Sequence, residues 1–100
     1  MSSHSDISRV CDSIKNLLLE KNMKYGDSAL NPIRILSKAP THEQILVRID
    51  DKLNRIKQGN LLFDDEDVLQ DLIGYFVLLK IALERQAAQA YNDNPYEVTI

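Results

Sequence analysis

In the first part of the chain apolar residues return at three- and four-residue intervals. Ile7, Val10, Cys11, Ile14, Leu17 and Leu18 share one face of a helix, which predicts a helix over residues 5–21. After Asn22 the period is lost. Tyr25-Gly26-Asp27-Ser28 reads as a turn, and Pro32 and Pro40 interrupt the segment beyond it. A short helix near residues 32–38 fits between them, because Pro32 suits a first helical turn and Ile33 and Leu36 keep an i, i+3 spacing. A second stripe, Ile45, Leu46, Ile49, Leu53 and Ile56, predicts a helix over residues 42–58. Thr41-His42-Glu43-Gln44 has the form of a capping box at its start, and Gly59 suits the left-handed turn that closes it. Its opposite side holds Arg48, Asp51, Asn54 and Arg55. A third helix is expected over residues 64–90, with Asp64 as N-cap and Phe63 stapled on Val68. The run Asp64-Asp65-Glu66-Asp67 suits the positive end of its dipole. Between Leu72 and Leu83 this helix is apolar nearly all round, which marks it as the central element, and residues 91–100 read as an irregular tail.

Composition agrees with an all-α class. The chain has 100 residues, enough for one domain, and only three Gly and three Pro, too few for the many turns of an all-β fold. Its 44% hydrophobic content excludes wholesale disorder. Twelve Lys and Arg against fifteen Asp and Glu leave a charge of −3, which weighs against general nucleic-acid binding through a broad basic face. Cys11 is the single cysteine, and no Cys/His cluster points to zinc. Met1 to Asp12 lacks the apolar core of a signal peptide, and the stretch Leu72 to Leu83 is short of the ~20 residues that span a bilayer. A cytoplasmic protein without membrane contact is the expectation. So small a core also favours a homo-oligomer.

Charge changes the picture locally. Glu43 to Asp71 holds eight acids and four basic residues, a local −4 within a total of −3. On the third helix Asp67 and Asp71 lie one turn apart, and Asp71 stands a full turn inside the helix, immediately before Leu72 and Ile73. An aspartate there needs a cation or a basic side chain. On the second helix Asp50 borders the apolar stripe, whereas Asp51 points away from it. Antiparallel packing of the two helices would bring Asp50, Asn54, Asp67 and Asp71 towards one another, an oxygen set suited to Mg²⁺ or Mn²⁺. The bland alternative is a set of surface ion pairs with Arg48, Lys52, Arg55 or Lys57. The loop Lys21-Asn22-Met23-Lys24-Tyr25-Gly26-Asp27-Ser28 adds two cations, an aromatic ring and a carboxylate, groups that hold phosphate and stack on a base, although such a loop is also an ordinary solvated turn.

Three segments together, KNMKYGDS at 21–28, RIDDKLNRI at 48–56 and DEDVLQDLIGYFVLL at 65–79, resemble the phage-associated nucleotide-modification domain related to MazG-like all-α nucleotide pyrophosphohydrolases. The resemblance spans about residues 17–83. It implies a MazG-like helical bundle, a homo-oligomer (dimer or tetramer), and hydrolysis of nucleoside triphosphates to monophosphate and pyrophosphate with Mg²⁺ or Mn²⁺. A phage protein would work in the host cytoplasm. Asp50 and Asp51 would match the leading acids of the family's first motif, whose third acid is here Asn54, and Asp67 and Asp71 the acids of its second. The metal ligands implied are Asp50, Asp51, Asp67 and Asp71, with Asp50 and Asp71 catalytic. Asp27 or Glu20 would supply the carboxylate lost at Asn54. Lys21, Lys24 and Arg55 would hold the phosphates, Tyr25 would stack on the base, and Asp27 would complete the nucleotide site. Two alternatives stand beside this reading: a protein that binds or sequesters a nucleotide without cleaving it, and a structural module whose third helix forms an oligomer core.

Overall fold

A computed structural model of the chain describes residues 2–59 and 65–93, which form three α-helices and, among the described residues, no strand. Helix α1 runs Ser3–Lys24, α2 Thr41–Lys57 and α3 Glu66–Asp93. The all-α expectation holds, with each helix in its anticipated place.

The ends show what the side chains do locally. Helix α1 begins before Ser5 because Ser2 caps it, its hydroxyl accepting from the Ser5 N–H at 3.2 Å. It continues through Lys24, and Lys21 and Lys24 lie at its negative end. Gly26 and Asp27 then take left-handed conformations (φ 64° and 61°), and the Asp27 N–H donates to the Asn22 carbonyl at 3.0 Å, the six-to-one bond of a Schellman motif. The anticipated turn at 25–28 is therefore present.

The short helix near residues 32–38 is not. Residues 31–40 form bends and extended chain, held by the Arg34 guanidinium, which donates to the Ala39 carbonyl and, at 3.0 Å, to Thr41 Oγ1. Those bonds also displace the capping box. The N-cap of α2 is Pro40, which offers no side-chain acceptor, and Gln44 Nε2 donates instead to the Ala39 carbonyl at 3.0 Å. At the far end Gly59 (φ 81°) closes α2 as expected, donating to the Ile56 carbonyl at 3.0 Å.

Asp64 and Phe63, the anticipated cap and staple, lie outside the described residues. The cap of α3 is supplied by Asp65, whose Oδ1 accepts from the N–H groups of Asp67 (3.0 Å) and Val68 (3.4 Å). Helix α3 also runs through Asp93, so the first three residues of the anticipated irregular tail are helical and the rest lie outside the described residues.

Helices α2 and α3 pack as an antiparallel hairpin around Ile45, Ile49, Val68, Leu72 and Ala82, with Leu30, Ile56, Tyr75, Leu78 and Leu79 against them. Helix α1 packs on α3 alone and buries one residue, Ile14. Where the two approach, Gly74 stands under Leu18, and a Cβ on Gly74 would come within 3.1 Å of Leu18 Cδ2. Helix α3 is central, yet it is not covered all round: Phe76, Val77 and Leu83 are exposed, as is every residue from Leu83 to Tyr91. Its 28 residues outrun the 17 of α2. Among the described residues no helix is long and apolar enough to cross a membrane.

Candidate functional site

The close approach at Gly74 leaves a cleft of about 360 Å³ beside it, between α1, the turn after α1, and the α2–α3 hairpin. Helix α1 contributes Leu17, Leu18, Lys21 and Asn22, and the turn contributes Tyr25, Ser28 and Ala29. Arg48 comes from α2. Helix α3 contributes Gln70, Asp71, Gly74, Tyr75 and Leu78. The lining is largely apolar, with two tyrosines and the charged side chains of Lys21, Arg48 and Asp71 set into it.

Asp71 organises the charges on one side of the cleft's lining through two lysines. Lys52 donates to Oδ2 at 2.9 Å and Lys21 to Oδ1 at 3.3 Å, so one carboxylate ties all three helices together. Partial burial acts to raise the Asp71 pKa, but hydrogen bonds from Lys52 and Lys21, helped by their charges, outweigh it and hold the carboxyl below its usual range. The expectation that an aspartate inside α3 must meet a cation or a base is met by two lysines.

The other anticipated acids stand apart. Asp50, Asp51 and Asp67 are exposed, and Asp51 pairs with Arg55 along α2 at 3.3 Å. Lys52 marks the side of α2 that faces Asp71. Asp50, two residues earlier at about 100° per residue, lies about 160° away around that helix. Among the described residues no three His, Cys, Asp or Glu side chains converge as a metal site. The donor set at Asp71 is therefore one carboxylate whose two oxygens already accept from ammonium groups, which does not fit a resident Mg²⁺ or Mn²⁺ within one chain.

The loop divides in the same way. Lys21 and Tyr25 line the cleft, together with Asn22 and Ser28. Lys24 lies over the Tyr25 ring, 5.4 Å from its centroid, rather than in the cleft wall. Asp27 serves the turn: its carboxylate accepts from Asn31 Nδ2 and its carbonyl from the Asn31 N–H at 2.9 Å. Arg55 is outside the cleft, engaged with Asp51. Glu20 is exposed on α1 and belongs to a shallow surface hollow on the other side of Leu17.

Three residues of the site escaped the sequence reading. Arg48, placed on the polar side of α2, lines the cleft, and among the described residues it has no hydrogen bond or ion pair. Tyr75 lines the cleft from α3. Lys52 was legible as a problem: it falls three residues after Ile49 and four before Ile56, hence beside the buried stripe, where an ammonium group needs an acidic partner. Comparison of the chain with family models, with curated proteins and with solved structures gives no match.

Proposed function

We propose that this chain is a nucleotide-binding protein and that the cleft beside Gly74 is its site. One observation carries the reading: the fold brings Lys21, Asn22, Tyr25 and Ser28 of the loop segment against Arg48 and Tyr75 around one concave, largely apolar space. Cations suit phosphate, tyrosine rings suit a base or sugar, and a volume of about 360 Å³ lies within the range of small-molecule sites. The resemblance of segments 21–28, 48–56 and 65–79 to the MazG-related nucleotide-modification domain supports the same ligand class. Titration calorimetry of the full chain with the common nucleotides tests it. The expected result is saturable binding, weakened about fivefold by Tyr25→Ala, the low end of what loss of one stacking ring costs because the ring is more than half exposed. Absence of heat with every nucleotide overturns it.

A second reading, metal-dependent pyrophosphohydrolysis, is favoured by the position of the Asp71 carboxylate in the cleft wall. It requires Mg²⁺ or Mn²⁺ to displace both lysines from Asp71, and Asp50, Asp51 and Asp67 to be supplied by a second copy in a homo-oligomer. Pyrophosphate release from nucleoside triphosphates with Mg²⁺, abolished by Asp71→Ala, is its signature. Recovery of intact triphosphate after incubation leaves binding without turnover.

A further inference from the structure

The charges around the cleft narrow the ligand class, and this step rests on the nucleotide-binding reading above. Lys21, Lys52 and Asp71 meet beside the cleft, and Arg48, one turn before Lys52 on α2, lines the cleft with Lys21 and Asp71. Lys52 is mostly buried, approaches Asp71 closely and is absent from the cleft wall, so it matches the Asp71 charge from behind. Lys21 is half exposed and holds Asp71 at a looser 3.3 Å, and Arg48 is unpaired among the described residues. Both of these reach the open space. Together these four groups leave a surplus of two positive charges and no free carboxylate.

A terminal phosphate monoester carries a charge of about −1.5 to −2 near neutral pH, which that surplus matches. A triphosphate carries roughly twice as much. Without a divalent cation the excess would face only Asp71, and Asp71 has no oxygen to spare for one. Size points the same way, because about 360 Å³ stands near the lower limit for ligand cavities and much of it is walled by Leu17, Leu18, Tyr75 and Leu78. A base and a sugar would lie along these apolar residues, with the phosphate towards Lys21 and Arg48.

We propose that the cleft binds a nucleoside monophosphate without a metal ion, Lys21 and Arg48 gripping its phosphate while Lys52 neutralises Asp71. Arg48 supplies the planar fork that pairs two phosphate oxygens, and Lys21, whose ammonium has three donors, keeps its bond to Asp71 Oδ1 while donating to a third. Lys52 is a positioning residue: it makes no ligand contact, and its charge keeps Asp71 from repelling the phosphate.

Calorimetry on the full chain, with nucleosides, their 5′-monophosphates and their 5′-triphosphates, each with Mg²⁺ or with EDTA, tests this. Monophosphates are expected to bind at least about tenfold more tightly than the corresponding nucleosides, an increment ordinary for charge-assisted hydrogen bonds. Mg²⁺ and EDTA should give the same affinity within about twofold. Arg48→Ala and Lys21→Ala should each weaken monophosphate binding about tenfold and nucleoside binding by a much smaller factor, with helix content by circular dichroism as the check on folding. Tighter binding of Mg²⁺-triphosphate than of monophosphate overturns the monophosphate assignment and leaves the nucleotide site standing. Equal binding of nucleoside and monophosphate overturns the assignment of Lys21 and Arg48. Failure of the whole panel to bind overturns the nucleotide reading itself.

Discussion

The Lys52–Asp71 pair invites a double-mutant cycle, because its energy can be worked from its surroundings. At 2.9 Å and an effective dielectric of about 20, Coulomb's law gives a gross attraction of about 6 kcal/mol. Most of that is offset by lost hydration, since the Lys52 and Asp71 side chains are 20% and 30% exposed. A net of about 1–1.5 kcal/mol remains, at the bottom of the range for hydrogen bonds to charged groups because water still reaches both side chains. The Lys21 bond to the same carboxylate, longer and on a lysine that is 49% exposed, adds about 0.5 kcal/mol. Lys52→Met, which keeps the aliphatic stem, should therefore cost about 1–1.5 kcal/mol, and Asp71→Asn about 1.5–2 kcal/mol. The double variant should fall short of the sum by about 1 kcal/mol. Urea denaturation followed by circular dichroism, with unchanged m-values, measures all four corners. Additivity within about 0.3 kcal/mol would refute the reasoning, because it would mean that the carboxylate draws no net stability from the lysine.

Two further outcomes are expected from the same structure. Asp71 has its pKa depressed in the folded chain, so its contribution is present above the unfolded value of about 3.9 and is lost as pH falls through the folded one. The urea midpoints of the wild type and Asp71→Asn should accordingly differ at pH 7 and converge below about pH 4; a gap that persists in acid would contradict this. Ile45, 1% exposed at the centre of the α2–α3 hairpin, should lose about 3–4 kcal/mol on truncation to Ala, read from the same denaturation curves, whereas a loss below 1 kcal/mol would move the core elsewhere.

The helices were legible because their apolar spacing is what packing uses. The stripe Ile45, Ile49, Ile56 became the face that meets Val68 and Leu72, and Gly59 closed α2 where its backbone freedom was needed. What misled was local chemistry that competes for the same atoms. Thr41 and Gln44 have the identities of a capping box, but Arg34 takes the threonine hydroxyl and Ala39 the glutamine amide, and neither bond is visible until the 31–40 segment is placed. At the site, Lys21, Tyr25 and Asp71 were singled out by type and position, and the fold brings them to one cleft. Asp50 borders the apolar stripe by helical angle, but packing chooses the other border: the seam receives Lys52, and Asp50 faces outward. Arg48 stays exposed on the polar flank of α2, and only the placement of α1 and its turn makes that flank the border of a cleft.

The uneven anchoring of the three helices has an energetic corollary. The principal buried cluster belongs to α2 and α3, while α1 is fastened by Ile14, the Leu18–Gly74 approach and the Lys21 bond. Detaching α1 thus takes less free energy than unfolding the hairpin, which makes it the natural unit of partial opening. One wall of the cleft is made from that same helix. A ligand spanning both walls would favour the docked arrangement alone, and at a hundredfold excess over its Kd would add about 2.7 kcal/mol to it. Occupancy of the cleft would then hold the whole 22-residue α1 against the hairpin.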